Sequence, residues 1–73
     1  MFIVIYSATY GHEEVFGPFQ TKEEAVQWMK NDVQQAIKIA AENDVNYDSI
    51  TDGDTIRIEE YGEWTIHEVQ SIN

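Results

Sequence analysis

The sequence predicts an α+β domain, a small antiparallel sheet in the order β-β-α-β-β with one long amphipathic helix packed on one face. Three observations predict it. An apolar, β-branched run opens the chain, a capped helical stripe fills its middle, and strict two-residue alternation occupies its last third.

The opening run "FIVIYSAT" (Phe2–Thr9) has strand length and strand composition. Ile3 and Ile5 share one side, and Phe2, Val4 and Tyr6 share the other. Both sides are apolar, which predicts a central strand. Tyr10-Gly11-His12 reads as a turn, and "EEVFGPF" (Glu13–Phe19) as a short return strand ended by Gly17-Pro18. In "TKEEAVQWMKNDVQQAIKIAAEN" (Thr21–Asn43), Thr21 and Glu24 form a capping box. Ala25, Met29, Val33, Ala36, Ile37 and Ala40 then recur at helical spacing, opposite Gln27, Lys30, Gln34 and Lys38. The helix outruns a six-residue strand, so it overhangs the sheet or bends near Asn31-Asp32.

"TIRIEEYGEWTIHEV" (Thr55–Val69) reads as a hairpin with the loop Glu60-Tyr61-Gly62, glycine supplying the left-handed position. That register pairs Ile58 with Trp64 and Ile56 with Ile66 on one face, Arg57 with Thr65 and Thr55 with His67 on the other. Alternation fails after His67, which predicts a bulge or a strand end there. One helix covers one face of such a sheet. Phe2, Val4 and Tyr6, beside Val69, are expected on the uncovered face, where they would form a homodimer face.

Seventy-three residues make a single domain, 1–73, with little apolar area to bury and no cysteine to staple it. The chain has no targeting or membrane-spanning run, so a soluble, cytoplasmic protein is expected. Fourteen acids against four bases give a formal charge of −10, unevenly spread. Residues 1–41 hold five acids and three lysines, whereas residues 42–73 hold nine acids and only Arg57. A field of this sign repels nucleic acid and membrane phosphates and attracts basic protein surfaces.

Catalytic and cofactor chemistry finds little footing. Asp44-Val45-Asn46-Tyr47-Asp48 matches the first half of a calcium loop, but Ser49 and Thr55 stand where glycine and a bidentate glutamate are needed. His12 and His67 lie in different elements, and zinc wants more ligands than they provide. Ser7, Ser49 and Ser71 lie in no nucleophile turn, and the glycines are scattered singly. No enzyme, no cofactor and no metal are expected. The acidic set Asp44, Asp48, Asp52, Asp54, Glu59, Glu60 and Glu63, with Tyr47 and Tyr61 as aromatic anchors, is the candidate partner-binding surface. Its sharpest form is a nucleic-acid mimic or inhibitor in which carboxylates stand in for phosphates. The alternative is a structural subunit that homodimerises, with acidity serving solubility alone.

At "VFGPFQTKEEAVQWM" (Val15–Met29) the sequence resembles a group of small bacterial and phage proteins with no assigned activity. These carry an apolar strand, then G-P-F-x-T-x-E-E-A-x-x-W, and end in an acidic hairpin. The resemblance implies this fold and a bacterial or phage setting. A weaker similarity is to SPOR-type peptidoglycan-binding repeats, which share the glycine-aromatic step into a helix.

Overall fold

The computed structural model describes residues 1–70, so Ser71 lies outside the described residues. Its elements are β1 (Phe2–Ala8), β2 (Glu13–Phe19), α1 (Lys22–Glu42), β3 (Ser49–Asp52), β4 (Thr55–Ile58) and β5 (Gly62–Glu68). All pairings are antiparallel, and the sheet order is β2-β1-β5-β4-β3. The α+β architecture with one helix is as expected, but the sheet has a fifth strand. β3 arises from the middle of the acidic segment, where Ser49-Ile50-Thr51 supply two β-branched residues and Gly53-Asp54 makes a two-residue hairpin turn. Gly53 at φ 61 takes the first central position, which favours glycine in this turn.

The helix begins where its cap dictates. Thr21 is extended, and its hydroxyl accepts the Glu24 N–H at 3.2 Å. Its 21 residues run unbroken for about 31 Å. Ala25, Met29, Val33 and Ala36 are buried against Val4, Ile56, Ile58, Trp64 and Ile66. The Trp64 indole N–H donates to Asp32 Oδ2 at 2.9 Å, tying the middle of the helix to the central strands. Trp28 packs on Phe16 and Phe19, with ring centroids 4.4 and 5.9 Å away, and closes the core along β2. Toward the far end of the helix Ile37 still packs on the core, whereas Ile39 is 57% exposed, and the chain turns back through a Val45 N–H to Ala40 carbonyl hydrogen bond of 2.9 Å.

Three of the following four expectations need correction. Phe2, Val4 and Tyr6 lie on the helix side of the sheet, with Val4 fully buried, and cannot be the uncovered face. Strand parity puts Ile3 and Ile5 there instead. The reason is pairing: Val4 sits opposite Ile66 and Tyr6 opposite Trp64, so these residues share the face that the apolar hairpin side chains require. Second, the β4–β5 loop is Glu59-Glu60-Tyr61. Ile58 pairs with Gly62, Ile56 with Trp64, Arg57 with Glu63 and Thr55 with Thr65. This register differs from the expected one by two residues, which leaves every side chain on its expected face. Third, the change expected after His67 is a strand end, at Glu68, with no bulge. The β1–β5 ladder runs through Phe2–Glu68, and the Val69 N–H donates to the Met1 carbonyl at 2.8 Å. Fourth, Gly17-Pro18 does not end β2; the strand crosses it through a register shift to Phe19.

Candidate partner-binding end

The topology brings three loops to one end of the sheet. α1 runs from the end marked by Lys22 toward this one, so residues 43–48 join the β4–β5 loop and the β1–β2 turn there. The join is hydrogen-bonded. Thr9 N–H donates to the Tyr61 carbonyl at 3.1 Å, and the Thr9 hydroxyl donates to the Glu60 carbonyl at 3.2 Å. Tyr47 meets Tyr61 edge-on at 5.5 Å, Tyr61 stacks on Trp64 at 5.8 Å, and Tyr6 lies 4.8 Å from Trp64. The two tyrosines expected as free anchors are thus half-buried parts of an aromatic cluster that supports this end.

Val45, Asn46, Tyr47, Asp48, Ile50, Glu59 and Glu60 line an open cleft of about 460 Å³. Asp44 immediately precedes it. The helix ends in the same place, with no basic residue in its last turn. Its Asp44 N–H and Val45 N–H donate to the Ala41 and Ala40 carbonyls, a Schellman closure in which Asp44 takes the left-handed position at φ 63. Glu60 is left-handed too, at φ 67.

The predicted acidic set is therefore divided. Asp44, Asp48, Glu59 and Glu60 gather with Tyr47 and Tyr61 at this end. Asp52 and Asp54 lie at the opposite end of the β3–β4 hairpin, Asp52 about 13 Å from Asp48 along the four residues of β3. There the Asp54 carboxylate pairs with Lys22 at 2.8 Å, and this contact raises the Lys22 pKa. Glu63 belongs to the uncovered sheet face, accepting from the Thr65 hydroxyl at 3.5 Å. Sequence reasoning missed the helix terminus as a contributor to the acidic end, although the absence of lysine or arginine between Lys38 and Arg57 was its signal. It also paired His67 with Thr55, whereas His67 sits opposite Ile3. His12 hydrogen-bonds Glu14 at 2.9 Å.

The Tyr6 hydroxyl is pushed up to about 12, first by burial and then by the neighbouring Tyr61. The folded protein thus keeps a proton that the unfolded chain releases near pH 10. Stability tied to this group is fully present below about pH 10 and is lost as pH rises toward 12. Denaturant midpoints measured from pH 9 to 12 should fall more steeply for wild type than for Tyr6→Phe.

No helix among the described residues is long and apolar enough to cross a membrane, and no group of three or more described His, Asp or Glu residues is placed to hold a metal ion. Comparison with protein-family models, with curated proteins and with solved structures finds no match for this chain.

Proposed function

We infer that this is a non-enzymatic interaction protein whose acidic end receives arginine or lysine side chains from a basic segment of a protein partner. One observation carries the reading: Asp44 stands where two independent costs fall on it. A left-handed backbone favours glycine, less strongly over aspartate than over longer side chains, and a carboxylate at a helix C-terminus is repelled by the negative end of the dipole. Glu60, also left-handed, repeats the first cost on the facing loop. Acids held against local preference, in and beside a cleft lined by Tyr47, Val45 and Ile50, support a cation-capturing role. The gathering of Asp44, Asp48, Glu59 and Glu60 at one end favours a compact basic cluster as the occupant, rather than a row of contacts along a phosphate-like track.

The test is binding of a fluorescent arginine-rich peptide at two salt concentrations. Neutralising Asp48, Glu59 and Glu60 together (D48N, E59Q, E60Q) should weaken binding about tenfold or more, given a few tenths to one kcal/mol per exposed charge. Neutralising Asp52 and Asp54 should change it less than twofold. Equal losses in both variants would leave only bulk charge as the attraction and would sink the site.

Glu60→Gly should stabilise the fold by about 1 kcal/mol and Asp44→Gly by less, because aspartate tolerates the left-handed region, each read as a higher urea midpoint, while each weakens peptide binding. A destabilised Glu60→Gly would show that its side chain serves the fold.

A further inference from the structure

The face of the sheet turned away from α1 has no cover among the described residues, and its side chains follow from the ladder. Val15, Ile5, Thr65 and Thr55 form one cross-strand row over four strands, ending at Asp52 on the β3 edge. On one side of the row lie Ile3 and His67; on the other lie Ser7, Glu63, Arg57 and Ile50. Val15 is 62% exposed and Ile50 46%. Of the fourteen acids, Glu13, Asp52 and Glu63 point this way by strand parity, and Glu59 and Glu60 border the face at the β4–β5 loop, beside Ser7, Arg57 and Glu63.

We propose that this face binds the same face of a second copy of the chain, around a twofold axis that runs along the Val15–Ile5–Thr65–Thr55 row. Such an axis, lying in the interface and crossing the strands, sets each strand over its own copy in the opposite direction. The row then stacks on itself, aliphatic on aliphatic and hydroxyl on hydroxyl. Residues two places above the row meet residues two places below it. On β5 this brings the His67 imidazole over the partner copy's Glu63 carboxylate, and the reverse, giving two equivalent hydrogen-bonded pairs. On β1 it sets Ile3 over Ser7, a large side chain over a small one. The Thr65 hydroxyl donates to Glu63 at 3.5 Å and approaches Thr55 to 3.4 Å, so the hydroxyls of the row and the Glu63 carboxylate are already linked.

A second copy is the occupant for reasons of charge and area. Two chains of −10 each approach best through a surface that joins few acids to several aliphatic side chains, and a basic partner is drawn instead to the acidic end. A five-strand face about 24 Å wide and about 20 Å long buries on the order of 1,000 Å² in total when two copies stack about 10 Å apart. That is the lower edge of a specific interface, so the dimer is a reversible one. Asp52 faces its own copy at the rim, where twisted sheets splay apart, and it opposes association. The strand reversal puts the two acidic ends at opposite extremes of the dimer, which presents two cation sites in one particle.

Sedimentation equilibrium of the full chain at about 0.15 M salt tests the proposal. Wild type should reach twice the chain mass with a dissociation constant in the micromolar range. Val15→Asp, at an exposed position, sets like charges over each other and should weaken the dimer at least tenfold, with no change in the thermal midpoint at concentrations where both proteins are monomeric. His67→Glu and Glu63→Lys should each weaken it about fivefold or more, and the double variant should recover to within about twofold of wild type, because the pair is exchanged across the axis. A wild type that stays monomeric to about 1 mM overturns the dimer. A dimer indifferent to V15D, or one in which the two charge changes add rather than cancel, overturns this face and this axis. Peptide capture by the acidic end is read separately, so either outcome leaves the cation site to its own test.

Discussion

Trp64→Ala is expected to destabilise the fold by about 3–5 kcal/mol, which for a chain of 73 residues is most of its margin of safety. Trp64 is 1% exposed and is the largest fully buried side chain. It contacts every part of the structure that matters for the acidic end: Tyr6 on β1, Tyr61 on the β4–β5 loop and, through its N–H, Asp32 on the helix. Alanine would leave a cavity beneath Tyr61 and release the loop that carries Glu59 and Glu60. The hydrogen bond and the packing are separable. Asp32→Leu leaves the buried indole N–H without an acceptor, at about 1–3 kcal/mol, whereas Asp32→Asn keeps one and should cost less. Urea denaturation of Asp32→Leu, Trp64→Phe and their double variant would give the coupling energy directly. Additive effects would mean that the 2.9 Å contact contributes nothing of its own.

How far the sequence foretold this arrangement depends on which force set each feature. The helix was legible nearly to the residue, because Thr21 and Glu24 mark its start and its stripe is periodic throughout. The apolar face of the hairpin was legible too, since Ile56, Ile58, Trp64 and Ile66 alternate strictly, and a two-residue slip in register leaves that face intact. What the alternation does not encode is the slip itself. Glycine at 62 reads as a loop residue by its backbone freedom, while its actual role is spatial. β1 was ambiguous for a related reason: with Phe2, Val4 and Tyr6 on one side and Ile3 and Ile5 on the other, neither side is polar, and only the pairing with β5 decides which meets the helix. β3 was hidden inside an acidic segment, since a four-residue edge strand with every residue exposed leaves almost no apolar pattern. The acidic site was half visible. Its residue types were plain, but the division of Asp44, Asp48, Glu59 and Glu60 from Asp52 and Asp54 follows from β3, and so could not precede it.

Gly62→Ala should cost about 2–3 kcal/mol, lowering the thermal midpoint by roughly 10 °C or more, although alanine is an unremarkable strand residue elsewhere. Gly62 pairs with Ala8 on one side and Ile58 on the other, at the point where β1, β5 and β4 converge. A β-carbon built there would stand 2.6 Å from Tyr6 Cε1, 2.9 Å from the Tyr6 hydroxyl and 2.8 Å from the Ser7 carbonyl oxygen. The first two contacts belong to a side chain that Trp64 and Tyr61 hold in place, and the third belongs to backbone that cannot swing aside. Strain from the ring and strain from the strand are distinguishable by one further variant. In a Tyr6→Leu background the ring contacts disappear, so the added cost of Gly62→Ala should fall by roughly half, leaving the part due to Ser7. An undiminished cost would assign the whole effect to the spacing of β1 and β5. A cost near zero in both backgrounds would mean that the ladder gives way by a few tenths of an ångström without penalty, and that the close approach of these strands is not what holds the β4–β5 loop beneath the acidic end.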